Sequence, residues 1–150
     1  MAWEIKCLNE ACGKASWASN IVDLIDNHRN GDGWLICSHC GGHGYIEKSF
    51  ELQEAGETWD PYLRAIITLG NPGDTYQPFV FRVSYAPEEE PSDVWFSYYK
   101  DMRSSGGRLK LGYGPGGPPV LGTDKLVELI RTLTSMKCLD AKAIEEAAKS

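Results

Sequence analysis

Cys7-Leu-Asn-Glu-Ala-Cys12 and Cys37-Ser-His-Cys40 carry the plainest chemistry in this chain, as two short-spaced thiol pairs of the forms C-x4-C and C-x2-C. A short pair lets two sulfurs leave one tight turn toward one ion, and four thiolates at about 2.3 Å complete the tetrahedral shell that zinc prefers. Gly13, Gly41 and Gly42 stand beside these cysteines, where the chain has to bend. Soft sulfur donors favour zinc over magnesium or calcium, with iron the alternative in the same geometry. The competing reading is a redox dithiol or a set of buried thiols. Two spaced pairs flanked by glycine favour Zn2+ bound by Cys7, Cys12, Cys37 and Cys40. A shell filled by four cysteines leaves no open position for water, so the metal's expected role is structural.

His39 and His43 flank the last ligand and His28 precedes a Gly31-Asp32-Gly33 turn. Each is expected in solvent or donating a hydrogen bond around the site rather than on the metal. A hydrolytic reading would need one cysteine as a bystander, His39 or His43 as ligand, and an acid such as Glu47 to activate water. The chain lacks the Gly-x-Ser-x-Gly, His-Glu-x-x-His and dinucleotide-binding signatures. Cys138 stands alone and reads as a small packed residue. Gly112-Tyr-Gly-Pro-Gly-Gly-Pro-Pro119 has no Gly-Lys-Ser/Thr ending, and Asp124 beyond it would repel an anion, so it reads as a shaped loop rather than a phosphate cradle.

The formal charge is −6, and four zinc-bound thiolates would shift it to about −8. That balance disfavours whole-body attraction to nucleic acid or anionic membrane. It places a protein partner first. One local strip runs against the total: Trp95, Tyr99, Lys100, Arg103, Arg108 and Lys110 concentrate aromatics and cations between residues 95 and 110. Aromatics that stack on unpaired bases, beside cations that hold phosphates, make single-stranded nucleic-acid binding the alternative function. The simpler account of the strip is a sheet with aromatics inward and cations outward. No run of apolar residues is long enough to cross a bilayer and the start carries no signal-peptide pattern, so a cytoplasmic protein is expected.

Cys37-Ser-His-Cys40-Gly-Gly-His-Gly44 resembles one C-x-x-C-x-G-x-G repeat of the DnaJ-type chaperone cysteine-rich domain. The resemblance covers eight residues. It implies a zinc knuckle running into a strand. That family strings four repeats around two zincs, so co-chaperone activity does not follow from one. The wider layout of knuckle, spacer, knuckle and hairpin is similar to the zinc-ribbon class, whose members serve transcription, translation and protein docking; the spacer 13–36 is longer and more helical than theirs.

The elements that must position these residues read as an α+β fold: a zinc-ribbon-like N-terminal site joined to an antiparallel sheet packed with C-terminal helices. One domain over 1–150 is expected, with a zinc-binding subregion at 1–69 and sheet plus helices at 70–150. Asn20 can cap a helix to His28 with Ile21, Leu24, Ile25 and His28 on one face. Residues 45–52 read as a strand with Ile46, Phe50 and Leu52 on one face, interrupted by Lys48. Its hairpin partner alternates Leu63, Ala65, Ile67 and Leu69. Phe79, Phe81, Val83 and Tyr85 alternate with Val80, Arg82 and Ser84, which predicts a half-buried strand. Strands are also expected at 94–100 and 108–113, with Pro87-Glu-Glu-Glu-Pro91 as a surface loop. Thr123 or Asp124 can cap a helix with a Leu126, Leu129, Ile130, Leu133 stripe, and Asp140 a second with Ile144, Ala147 and Ala148 inward. A helix-turn-helix DNA reader is disfavoured because that second helix carries balanced charge.

Overall fold

A computed structural model of the chain describes residues 2–51, 56–71, 73–112 and 123–149. Nine strands and three helices follow in order: β1 (Trp3–Cys7), β2 (Ala15–Ala18), α1 (Ile21–Asn27), β3 (Gly44–Glu47), β4 (Phe50–Glu51), β5 (Thr58–Trp59), β6 (Tyr62–Thr68), β7 (Tyr76–Ser84), β8 (Asp93–Asp101), β9 (Leu109–Leu111), α2 (Thr123–Ser135) and α3 (Ala141–Lys149). Seven strands form one antiparallel sheet in the order β2-β1-β3-β6-β7-β8-β9, and β4 and β5 form a separate ribbon. The expected α+β class is therefore what the chain adopts. β1, which enters the first cysteine turn, and β3, which leaves the second, belong to the main sheet and pair through Lys6↔Tyr45 and Cys7↔Gly44.

Alternation along β7 explains the two layers of core. Phe79, Phe81 and Val83 point to one face, where they pack with Trp3, Ile5, Leu63 and Ile66 and with Ile21, Leu24 and Ile25 of α1. Val80 points to the other, against Ile67, Leu69 and the α2 residues Leu129 and Leu133. Arg82 and Ser84 share that second face at 3% and 0% exposure, so β7 is buried on both sides rather than half-buried as its pattern predicts. The polar residues misled the reading: Arg82 is accommodated beneath a ring, its guanidinium 4.6 Å from the centroid of Trp34.

The expected alternation of Leu63, Ala65, Ile67 and Leu69 is broken by a bulge between Leu63 and Ala65. Leu63 pairs with Val83 but Ala65 with Arg82, so Leu63 faces the α1 side while Ile67 and Leu69 face α2. The strand expected over 45–52 ends at Glu47. Lys48 then turns its ammonium over Trp3, 4.2 Å from the ring centroid. Phe50 restarts as β4, and Leu52 lies outside the described residues. Tyr85 falls beyond β7 and is 46% exposed. Its hydroxyl donates to Asp93 Oδ2 at 2.6 Å and accepts from Trp59 Nε1 at 3.1 Å.

Helix α1 begins as expected, with the Asn20 side chain accepting from Asp23 N at 3.0 Å. Thr123 and Asp124 lie inside α2 rather than capping it, and the residue before Thr123 is outside the described set. Of the α2 stripe only Leu129 and Leu133 are buried, while Leu126 and Ile130 are 44% and 37% exposed. Asp140 caps α3 through Lys142 N at 2.9 Å. The expected inward face is not buried: Ile144 is half-buried, and Ala147 and Ala148 are exposed. Small alanines give α3 little area to bury against a sheet. Cys138 packs with Met136 and Leu139 against the α2 side of the core, and burial pushes its thiol pKa up. No helix among the described residues is long and apolar enough to cross a membrane.

Candidate metal centre

Cys7 ends β1, Cys12 lies in the turn to β2, Cys37 ends an extended segment after α1, and Cys40 sits in the turn before β3. The sheet brings both turns together because β1 and β3 are hydrogen-bonded neighbours. All four sulfurs lie within 4.8 Å of one another. Cys7 Sγ is 3.5 Å from Cys40 Sγ, and Cys12 Sγ is 3.8 Å from Cys37 Sγ. A tetrahedron with metal–sulfur bonds of about 2.3 Å has edges of about 3.8 Å, close to the Cys7–Cys40 and Cys12–Cys37 separations, and the whole cluster is compact enough to close on one ion.

The turns are shaped for sulfur that carries charge. Asn9 N donates to Cys7 Sγ at 3.3 Å, His39 N to Cys37 Sγ at 3.4 Å and Gly42 N to Cys40 Sγ at 3.4 Å. In each case the amide comes from the residue two positions on, and such donors stabilise thiolate. The second turn is closed by Cys37 N to Gly42 O and Gly41 N to Cys37 O, both at 2.8 Å. Gly41 takes the left-handed φ of +73° that this closure needs, whereas Gly42 does not. The first turn is held by Cys12 N to Asn9 O at 3.0 Å and by Ala11 N to Asn9 Oδ1 at 3.0 Å.

Electrostatically the four thiols are unequal. Burial opposes ionisation of Cys37, yet the amides of Cys40 and His39 and the neighbouring Cys12 and Cys7 thiols outweigh it, bringing its pKa down to about 6. Cys7 goes the other way, pushed up to about 12 by burial and by the remaining thiols, against the Asn9 amide. Four sulfurs this close cannot all ionise without a cation between them.

The histidines take other work. His39 Nε2 lies 3.0 Å from Ala15 O, tying the second turn to β2. His43 stacks on Trp34 with centroids 5.0 Å apart and planes 11° apart. His28 caps the end of α1, its Nε2 3.8 Å from Asp23 Oδ2. Glu47 is salt-bridged to Lys6 at 2.8 Å.

Two supports of the centre carry no sequence signal. Buried Ser16 accepts at its Oγ from Ser38 N at 3.0 Å, with Ser38 Oγ at 2.8 Å, fastening the Cys37–Cys40 turn to β2. Trp34 lies between Arg82 and His43, a stack running from the sheet to the residue three beyond Cys40. Serine pairs and stacked rings of this kind depend on tertiary neighbours that no spacing reveals.

The basic aromatic strip is divided by the sheet. Trp95 and Tyr99 face the α1 side, where Trp95 stacks on Phe81 at 5.4 Å and Tyr99 lies 6.3 Å from Phe79. Lys100 and Lys110 are paired across β8 and β9 on the opposite face. Arg103 folds back on its neighbour, donating from Nε and Nη2 to Asp101 at 2.9 and 2.8 Å. Trp95 and Tyr99 therefore do not share a surface with Lys100 and Lys110, because adjacent strand positions point to opposite sides. The loop at 112–119 lies outside the described residues beyond Gly112.

No protein-family model, no curated protein and no solved structure matches this chain.

Proposed function

We propose that this chain is a structural-zinc binding module that serves as a docking platform for a partner protein. The observation that carries the zinc is the convergence of Cys7, Cys12, Cys37 and Cys40 in a cluster compact enough to close on one ion. Zinc there would cross-link the β1–β2 turn to the turn before β3 and so fix one end of the sheet. Four sulfurs would fill its coordination shell, which suits a structural ion.

Docking is supported by the α2 side of the sheet, where apolar groups stay in solvent. Val94 and Phe96 on β8 are 41% and 39% exposed, and Leu126, Val127 and Ile130 stand out on α2. The acidic total favours protein over polyanion as the partner. Cobalt substitution tests the metal assignment: the reading expects tetrahedral d–d bands and sulfur-to-cobalt charge transfer, lost in Cys40→Ser, and octahedral spectra would overturn it. For docking, Ile130→Asp is expected to release a partner recovered at moderate salt while leaving the melting temperature unchanged. Retention of that partner by the variant would count against this face.

A further inference from the structure

The hairpin of β8 and β9 gathers positive charge on one side by register alone. Lys100 and Lys110 are direct cross-strand partners, so their side chains share a face. Two positions further out, Met102 N donates to Arg108 O at 3.1 Å, which places Met102 and Arg108 on that face too. The turn beyond is tightly drawn: Gly107 N donates to Met102 O at 2.8 Å, and a Cβ at Gly107 would meet Met102 Cβ at 2.6 Å. Only glycine permits this closure, which folds Arg108 back beside the two lysines. Lys100, Met102, Gly107, Arg108 and Lys110 line a cavity of about 370 Å³.

Like charges directly opposite on paired strands repel each other. Acidic neighbours ordinarily relieve such a pair, yet among the described residues Lys100, Arg108 and Lys110 form no ion pair. Asp101, next along the chain, is held by the Arg103 guanidinium and cannot serve them. Lys100, Arg108 and Lys110 thus line one concavity in a protein of net charge −6. From this geometry we infer that the β8–β9 hairpin is a binding site for the phosphate group of a small ligand. Arg108 supplies a planar fork for two oxygens and the lysines supply point charges. A polynucleotide fits less well, because the acidic body repels a long polyanion.

Titration of the zinc-loaded full chain with inorganic pyrophosphate, followed by backbone amide NMR, tests this site. Saturable shifts are expected at residues 100–102 and 107–110. Lys100→Ala with Lys110→Ala should weaken binding about tenfold or more, while Lys142→Ala, on the exposed α3, leaves it unchanged. Both lysines are exposed, so the double variant is expected to keep its fold, which its spectrum reports directly. Absence of saturable shifts, or equal shifts in the double variant, would overturn the site. A single-stranded oligonucleotide that binds more tightly per phosphate than pyrophosphate would overturn the small-ligand assignment.

Discussion

Replacing Trp34 by Leu removes the ring between Arg82 and His43 while keeping an apolar side chain in place. Arg82 is 3% exposed, forms no ion pair among the described residues, and has no hydrogen-bond partner at Nη1. The Trp34 face at 4.6 Å is its observed compensation. A desolvated cation–π contact contributes about 2 kcal/mol. The parallel stack on His43 adds about 1 kcal/mol. Trp34→Leu should therefore cost about 3 kcal/mol, a fall of roughly 6–12 °C in Tm for a chain of this size. Arg82→Met loses the same contact but also removes a buried charge, so it should lie within about 1 kcal/mol of the parent. The double variant should then be about 2 kcal/mol more stable than the sum of the single effects. Urea unfolding of the four proteins with zinc in excess measures all of these. Additive costs, with Arg82→Met as harmful as Trp34→Leu, would show that the ring does not stabilise the guanidinium.

Asp23 accepts from Ser19 N at 2.7 Å and from Asn27 Nδ2 at 2.8 Å, and the Asn27 bond is the first cause of a pKa held below its ordinary 3.8. Because the folded-state pKa is depressed, its stabilisation is complete above pH 3.8 and fades as pH falls through the lower folded value. Asp23→Ala is expected to cost about 1 kcal/mol at pH 7. The Tm gap between parent and variant should narrow as pH falls through that lower value, and a gap that does not narrow on acidification would refute this assignment; taking the difference cancels acid loss of metal from both. On α2, Leu133→Ala should cost about 2–4 kcal/mol by thermal melting, since Leu133 is 5% exposed against Ile67, Leu69 and Val80. Ile130→Ala, at 37% exposure, should cost under about 1 kcal/mol, and equal losses would mean that the exposed face is covered.

The cysteine cluster was legible because a thiol pair on one turn is a local device: spacing and adjacent glycine describe it without knowledge of the rest of the chain. The β7 alternation and the Asn20 cap were legible for the same reason. What escaped the sequence depends on neighbours far along the chain. The bulge between Leu63 and Ala65 reverses which residues face α2, and periodicity alone assumes no such slip. Arg82 and Ser84 look solvent-facing until Trp34 and α2 cover their side of β7. The strip at 95–110 grouped residues by composition, whereas the pleat sends Trp95 and Tyr99 one way and Lys100 and Lys110 the other. α3 has the period of a packed helix, but its alanines bury too little to hold it down.

Elemental analysis of the purified chain, beside a Cys37→Ser variant, tests the zinc assignment most directly. Cys37 is fully buried at the base of the centre. The parent should carry one zinc per chain. Structural zinc binds with an apparent free energy of about 10–16 kcal/mol near neutral pH, so the variant should lose both metal and a large part of its Tm. Parent protein free of zinc, and as stable as the variant, would contradict the account.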